Sequence, residues 1–164
     1  MTGLLVRQPG VLSLLQDGGR YGKHRIGLTT GGPLDREAMH WANRLLGNAG
    51  DATALEISFG GLVLEARSAT RIAVCGGDMP LAVNGAEKAC WRSHCLQAGD
   101  RVELGYATRF CRSYLAVSGG FQVKPQFGST ATVVREGIGG LNGSRLEPGD
   151  ILPCAADPAR ECLQ

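Results

Sequence analysis

Short apolar runs, each broken by a glycine pair, a turn dipeptide or a charged residue, recur along the chain. "LLV" (4–6) and "VLSLL" (11–15) open the series. They are too short for helices and rich in residues that suit a pleated surface, which predicts strands. "ALEISF" (54–59) and "LVLEA" (62–66) flank Gly60-Gly61 and predict a hairpin. Asn84-Gly85, between "PLAVN" (80–84) and "EKACWRS", predicts a second one. "TRIAVC" (70–75), "RVELGY" (101–106), "RSYLAV" (112–117), "TATVVR" (130–135) and "DILPC" (150–154) complete the strand set. "QAGD" (97–100) and "EPGD" (147–150) read as matching turns, each feeding a strand. Only "LDREAMHWANRLLGN" (34–48) has helical period. Ala38, Trp41, Ala42, Leu45 and Leu46 form its apolar face, Asp35 is the N-cap with Glu37 in the first turn, and Gly47 or Asn48 ends it. Many short strands and one helix predict an all-β barrel or sandwich, with the helix over one opening.

Composition narrows the class. A chain of 164 residues, 43% hydrophobic, has the mass for one domain with its own core. The expected division is a domain over 1–154 and a tail or junction over 155–164, where periodicity is lost. A formal charge of +2 without blocks of like charge argues against a nucleic-acid footprint or a polybasic membrane patch. The start lacks a basic segment followed by an unbroken apolar stretch, and nothing reaches the length of a membrane span, so a cytoplasmic location is expected. Without a secretory signal, the six cysteines are expected as free thiols. Cys90, His94 and Cys95 form the one local cluster, but no second ligand pair accompanies it, so no metal is expected. The 25 glycines include six Gly-Gly pairs at irregular intervals, which means many tight turns and no solenoid repeat.

The chemistry-bearing stretch is "QDGGRYG" (16–22). Glycine N–H groups in such a turn form a small nest, and Arg20 has the fork to grip a carboxylate or phosphate while Asp17 orients it. The alternative is a turn closed by an Asp17–Arg20 ion pair. "TTGGPLD" (29–35) places Gly31 and Gly32 before the helix N-terminus, where an anion is favoured, although the P-loop lysine is absent. Glu56 lies beside Gly60-Gly61; with Leu55 and Ile57 facing inward, a surface carboxylate is the default there. Ser118 does not fit a nucleophile elbow. The hydroxyls of "FGST" (127–130) are ordinarily turn-capping groups.

"QDGGRYG", "GGPLD", "ANRLLGN", "LEISFGG", "RSYLAVSGGF", "FGST" and "GIGGLNG" followed by "PGDILP" occur in one order. That ordered set resembles the allophanate hydrolase subunit 2 family, also called KipA or the C subunit of 5-oxoprolinase, and the equivalent part of the urea carboxylase carboxyltransferase region. The likeness runs from about residue 4 to 153; family members are roughly twice as long, so the chain resembles their N-terminal half. The resemblance implies a cyclophilin-like β-barrel and a part in an ATP-dependent amide-processing enzyme, of which 5-oxoproline opening to glutamate is the leading reaction. It further implies a subunit 1 (KipI-like) partner, and activity that is not independent of it. ATP is then a co-substrate of the assembled enzyme rather than a ligand of this domain. The rival readings are a urea-type carboxyltransferase, with biotin carried by a partner because no Met-Lys-Met attachment site is present, and a KipA-like regulatory module without catalysis. A homo-oligomer through exposed edge strands is a further expectation. On these motifs Asp17, Arg20 and Glu56 are the candidate catalytic residues. Gln16, Gly18, Gly19, Gly31, Gly32, Asn48, Arg112 and Ser129 are the candidate substrate contacts.

Overall fold

The computed structural model describes residues 2–157. Eleven strands divide into two antiparallel sheets. They are β1 (Leu4–Pro9), β2 (Leu12–Gln16), β3 (Ala54–Ser58), β4 (Leu62–Ala66), β5 (Thr70–Asp78), β6 (Leu81–Val83), β7 (Ala86–Lys88), β8 (Ser93–Leu96), β9 (Arg101–Leu104), β10 (Arg109–Val117) and β11 (Ile151–Leu152). One sheet runs β11-β1-β4-β9-β6-β7 and the other β2-β3-β10-β5-β8. The all-β expectation is borne out. Leu4, Val6, Leu62 and Leu64 from the first sheet and Leu55, Ile57, Ile72 and Leu115 from the second fill one apolar core between them.

Three expectations need correction. Residues 54–66 are not a hairpin: β3 pairs with β2 and β10, whereas β4 pairs with β1 and β9. Phe59, Gly60 and Gly61 all take positive φ (63°, 91° and 78°), and three left-handed residues in succession swing the chain out of one sheet into the other. A Cβ at Gly60 would stand 2.1 Å from the Gly105 carbonyl oxygen, so the corner admits only glycine there. Second, 130–135 is not a strand. Thr132 donates its N–H and its hydroxyl to the Leu15 carbonyl, a 3-10 turn spans Val134–Glu136, and Val133 bridges Ile138. Third, the helix α1 (Arg36–Arg44) lies across the outer face of the second sheet rather than over an opening. Its buried apolar residues Ala38, Met39 and Ala42, with Leu46 just past its end, pack on Ala54, Ala73, Cys75, Tyr114 and Ala116. Small sheet residues let the helix come close, and the Trp41 indole is left 47% exposed.

Local signals were better guides. Asp35 caps α1, its side chain accepting from the Ala38 N–H at 3.0 Å. Asn84 and Gly85 (φ 52° and 77°) link β6 to β7 as a two-residue hairpin. Asp100 accepts from the Gln97 N–H and Asp150 from the Glu147 N–H in identical turns. Gly99 and Asp100 then exchange backbone bonds with Ala66, as Gly149 and Asp150 do with Val6. Cys75, Cys90, Cys111 and Cys154 are free thiols, whereas Cys95 is disulfide-bonded, contrary to expectation. Burial pushes the Cys75 thiol up to about 12, with Cys90 adding to the shift. Asp157 returns to β5 through an ion pair with Arg71 at 2.9 Å. Cys162 and the rest of the expected tail beyond 157 lie outside the described residues. No helix among the described residues is long and apolar enough to cross a membrane.

Candidate functional site

The "QDGGRYG" turn follows β2 and faces inward, towards the loop at 126–132. Asp17 Oδ1 accepts from the Gly19 N–H at 2.9 Å and the Ser129 hydroxyl at 2.5 Å, and its Oδ2 accepts from the Thr130 N–H at 2.7 Å. Arg20 is 1% exposed. Its Nε donates to the Gln126 carbonyl at 3.0 Å, and its Nη2 to the carbonyls of Ser129 (3.3 Å) and Ala131 (3.0 Å). Nη1 is buried without a partner. Gln16 donates to the Thr132 carbonyl and accepts from the Gly32 N–H. Asp17, Arg20, Gln16, Gly19, Gly32 and Ser129 are thus brought together as a lattice that fixes one loop on another. Asp17 and Arg20 form no ion pair with each other. Gly31 (φ 64°) sits against Val133 and Ala131, and the Gly18 carbonyl accepts from Arg36. Asn48 is elsewhere: it donates to Asn43 and the Val117 carbonyl and accepts from the Gly119 N–H, tying the end of α1 to β10.

Two other candidates, Glu56 and Arg112, do meet, and Arg112 also lines a cleft. Glu56 is on the sheet face that the period-2 argument assigned to solvent, but α1 covers that face and leaves it 6% exposed. Its Oε2 accepts from the Tyr114 hydroxyl at 2.6 Å and from the Leu34 N–H at 2.9 Å, while the Asp35 N–H donates to the Tyr114 oxygen. The positive end of α1 is therefore already met by the protein's own carboxylate. Burial, and then the hydrogen bond to Glu56, push the Tyr114 phenol well above its ordinary range. Arg112 reaches the same place from β10, its Nε 3.8 Å from Glu56 Oε1 and its guanidinium over the Phe59 ring at 6.0 Å.

A bulge aims Arg112. Arg109 pairs with Asp78 and Ser113 with Gly76, so the three residues between them, 110–112, oppose Gly77 alone. A Cβ at Gly76 would lie 2.6 Å from the Arg112 carbonyl oxygen, so the bulge closes only over glycine. Within it Phe110 takes φ 57° and is 73% exposed. The Nε and Nη1 of Arg112 are buried without hydrogen-bond partners. A cleft of about 420 Å³ opens beside them, lined by Asp35, Glu37, Trp91, Phe110, Cys111 and Arg112. Sequence reading missed Asp35 and Glu37 as cleft residues, having given them only to the helix cap. It missed Trp91 and Phe110 entirely, although the broken alternation of "RFCRSY" marked the bulge. Among the described residues no group of three or more His, Cys, Asp or Glu is placed to hold a metal.

Glu136 anchors the loop before α1. It accepts from the Thr29 N–H (3.1 Å) and the Thr29 hydroxyl, and the hydroxyl contact holds its carboxyl below the ordinary value of 4.5. A lowered folded-state value means the contact stabilises above about 4.5 and is lost as pH falls through that lower value. Amide-exchange protection of Thr29 is expected to drop on acidification through that window, and Glu136→Gln to remove the dependence. Protection unchanged down to acid unfolding would contradict this.

The model for the carboxyltransferase domain, subdomains A and B, matches residues 26–164. The C subunit of 5-oxoprolinase from Escherichia coli (strain K12) is 39% identical over 152 residues, which covers 92% of this chain and 48% of that protein. The urea amidolyase of Lachancea kluyveri is 35% identical over 150 residues, 90% of this chain and 8% of that one. The crystal structure of the Kluyveromyces lactis urea carboxylase superposes with a TM-score of 0.90 at 37% identity, covering 93% of this chain and 14% of that one. The chain thus spans about half the length of the bacterial relative and a small part of the urea enzymes.

Proposed function

The chain belongs to the carboxyltransferase-domain family of subdomains A and B, and from that premise we propose that it is a domain of an ATP-dependent amide-processing enzyme, of the kind found in the C subunit of 5-oxoprolinase. It acts with a subunit 1 (KipI-like) partner. The observation that carries the reading is Arg112, which lines a cleft with Trp91 and Phe110 and has two buried N–H donors without hydrogen-bond partners. A guanidinium with unpartnered donors suits a carboxylate ligand, through a charge-assisted hydrogen bond. The acid group of 5-oxoproline is such a carboxylate. Glu56, Tyr114 and the first turn of α1 hold Arg112's surroundings in place, so the lactam enters a preformed site. ATP belongs to the assembled enzyme. The amides of Gly32, Leu34 and Asp35, ahead of the first turn of α1, are spent on Gln16, Glu56 and Tyr114.

The test combines the chain with a subunit 1-type partner and follows glutamate formation from 5-oxoproline and ATP. Arg112→Met is expected to lower kcat/KM by about 100-fold, the scale of one lost charge-assisted pair. Arg112→Lys should recover only part of it, because an ammonium lacks the fork. Unaltered turnover in a folded Arg112→Met protein would sink the reading. A urea-type carboxyltransferase is the second reading, favoured by the likeness to the Kluyveromyces lactis enzyme, with biotin on another domain or chain. Urea has no carboxylate, so carboxylation of urea when the chain is supplied with a carboxybiotin donor, with 5-oxoproline inert in the first assay, would select it.

A further inference from the structure

The cleft is lined by groups of opposite charge. Arg112 leaves Nε–H and Nη1–H without hydrogen-bond acceptors. Asp35, the N-cap of α1, and Glu37 in its first turn line the same cleft, and both are exposed. Asp35 spends one oxygen, Oδ1, on the Ala38 N–H and makes no ion pair among the described residues. The Glu37 side chain has neither hydrogen bond nor ion pair among them. A helix cap needs only the first of these acids. Trp91 and Phe110 line the cleft as well, 49% and 73% exposed, in left-handed backbone at φ 61° and 57°, and the Arg109 guanidinium lies over the Phe110 ring at 5.5 Å. Bulky residues in that region cost about 1–2 kcal/mol each and persist where the surroundings impose them, most often at ligand sites. Aromatic faces beside carboxylates favour an organic ammonium, through the ring quadrupole and the opposing charge.

Taken together, the geometry points to a zwitterion site. We propose that the cleft binds a free amino acid, its carboxylate on Arg112 and its ammonium between Asp35, Glu37 and the rings of Trp91 and Phe110. The inference rests on the reading of the cleft as a lactam-acid site and goes one step past it. The nitrogen of 5-oxoproline is an amide and carries no charge. The ammonium exists only after the ring has opened, so Asp35 and Glu37 recognise the product, glutamate, and not the substrate. Such a site retains the opened amino acid and makes the domain sensitive to its concentration.

Isothermal titration of the chain with L-glutamate, glutarate and 5-oxoproline tests this directly. Glutarate keeps both carboxylates and lacks the ammonium, so it is expected to bind about tenfold more weakly than L-glutamate, a difference of about 1.4 kcal/mol. Glu37→Gln is expected to lower the affinity for L-glutamate to that of glutarate, and to leave glutarate unchanged or slightly improved. Asp35→Asn, which retains a good N-cap, should act in the same direction. Equal binding of L-glutamate and glutarate by the unaltered chain would overturn the proposal without any variant. Binding of 5-oxoproline with none of glutamate would also overturn it, while leaving the enzyme reading intact. Absence of binding by all three would remove both.

Discussion

Glu56→Ala is expected to lower the stability of the domain by about 3–5 kcal/mol, the range for removing one partner of a buried ion pair. Two groups lose their acceptor at once, the Leu34 N–H and the Tyr114 hydroxyl, and the partly buried Arg112 guanidinium loses its ion-pair partner. The phenol retains the Asp35 N–H as a donor to its oxygen, but nothing else takes its proton. Because Leu34 leads directly into α1, the loss should loosen the helix from the second sheet first. The shift in the denaturation midpoint measures it. Tyr114→Phe, which removes one hydroxyl and leaves the carboxylate, should cost only about 1–3 kcal/mol. A Glu56→Ala loss below about 1 kcal/mol would show that the carboxylate does not hold the helix N-terminus.

Arg20→Ala is expected to be nearly as damaging, at about 3–5 kcal/mol. The carbonyls of Gln126, Ser129 and Ala131 would lose their donor in a closed interior, each at about 1–3 kcal/mol before water relieves part of it. The effect should be local at first. Exchange protection is expected to fall at the amides of Thr130 and Thr132 before it falls in the strands. Arg20→Lys keeps the charge and loses the fork, so it should rescue little. An Arg20→Ala protein of unchanged stability would mean that the loop at 126–132 holds itself.

These two residues also show what the sequence made legible and what it did not. Both were picked out as candidate chemistry, because a charged residue among glycines reads the same whether it faces a ligand or a neighbouring loop. What separates the cases is the loop at 126–132, more than a hundred positions away from Arg20, which no local pattern announces. Glu56 was assigned to the solvent side of its strand because alternation tells the two faces of a sheet apart but not what covers each. Signals carried within four residues were dependable: the Asp35 cap, the Asn84-Gly85 hairpin and the paired turns ending in Asp100 and Asp150. The 54–66 hairpin failed because two glycines in a row serve a sheet-to-sheet corner as well as a tight turn, and the left-handed Phe59 decides between them. The order of seven individually weak motifs carried the family resemblance, and the relatives bear it out. Trp91 and Phe110 line the cleft in backbone that sequence propensity disfavours, and the broken alternation of "RFCRSY" marks the bulge under Phe110 without telling what its side chain faces.

The two matching turns have unequal places in the order of assembly. Gly99 reaches back to Ala66, while Gly149 reaches back to Val6 across a span roughly four times longer. Closing a chain costs entropy that grows with the logarithm of its length, about 0.6 kcal/mol per doubling, so the second closure costs about 1.2 kcal/mol more for the same bonds. The shorter loop has every reason to close early, from its own residues. The longer one gains its advantage only once the intervening strands have shortened the distance. The same four-residue fastening therefore seals a neighbourhood at one place and the whole chain at the other.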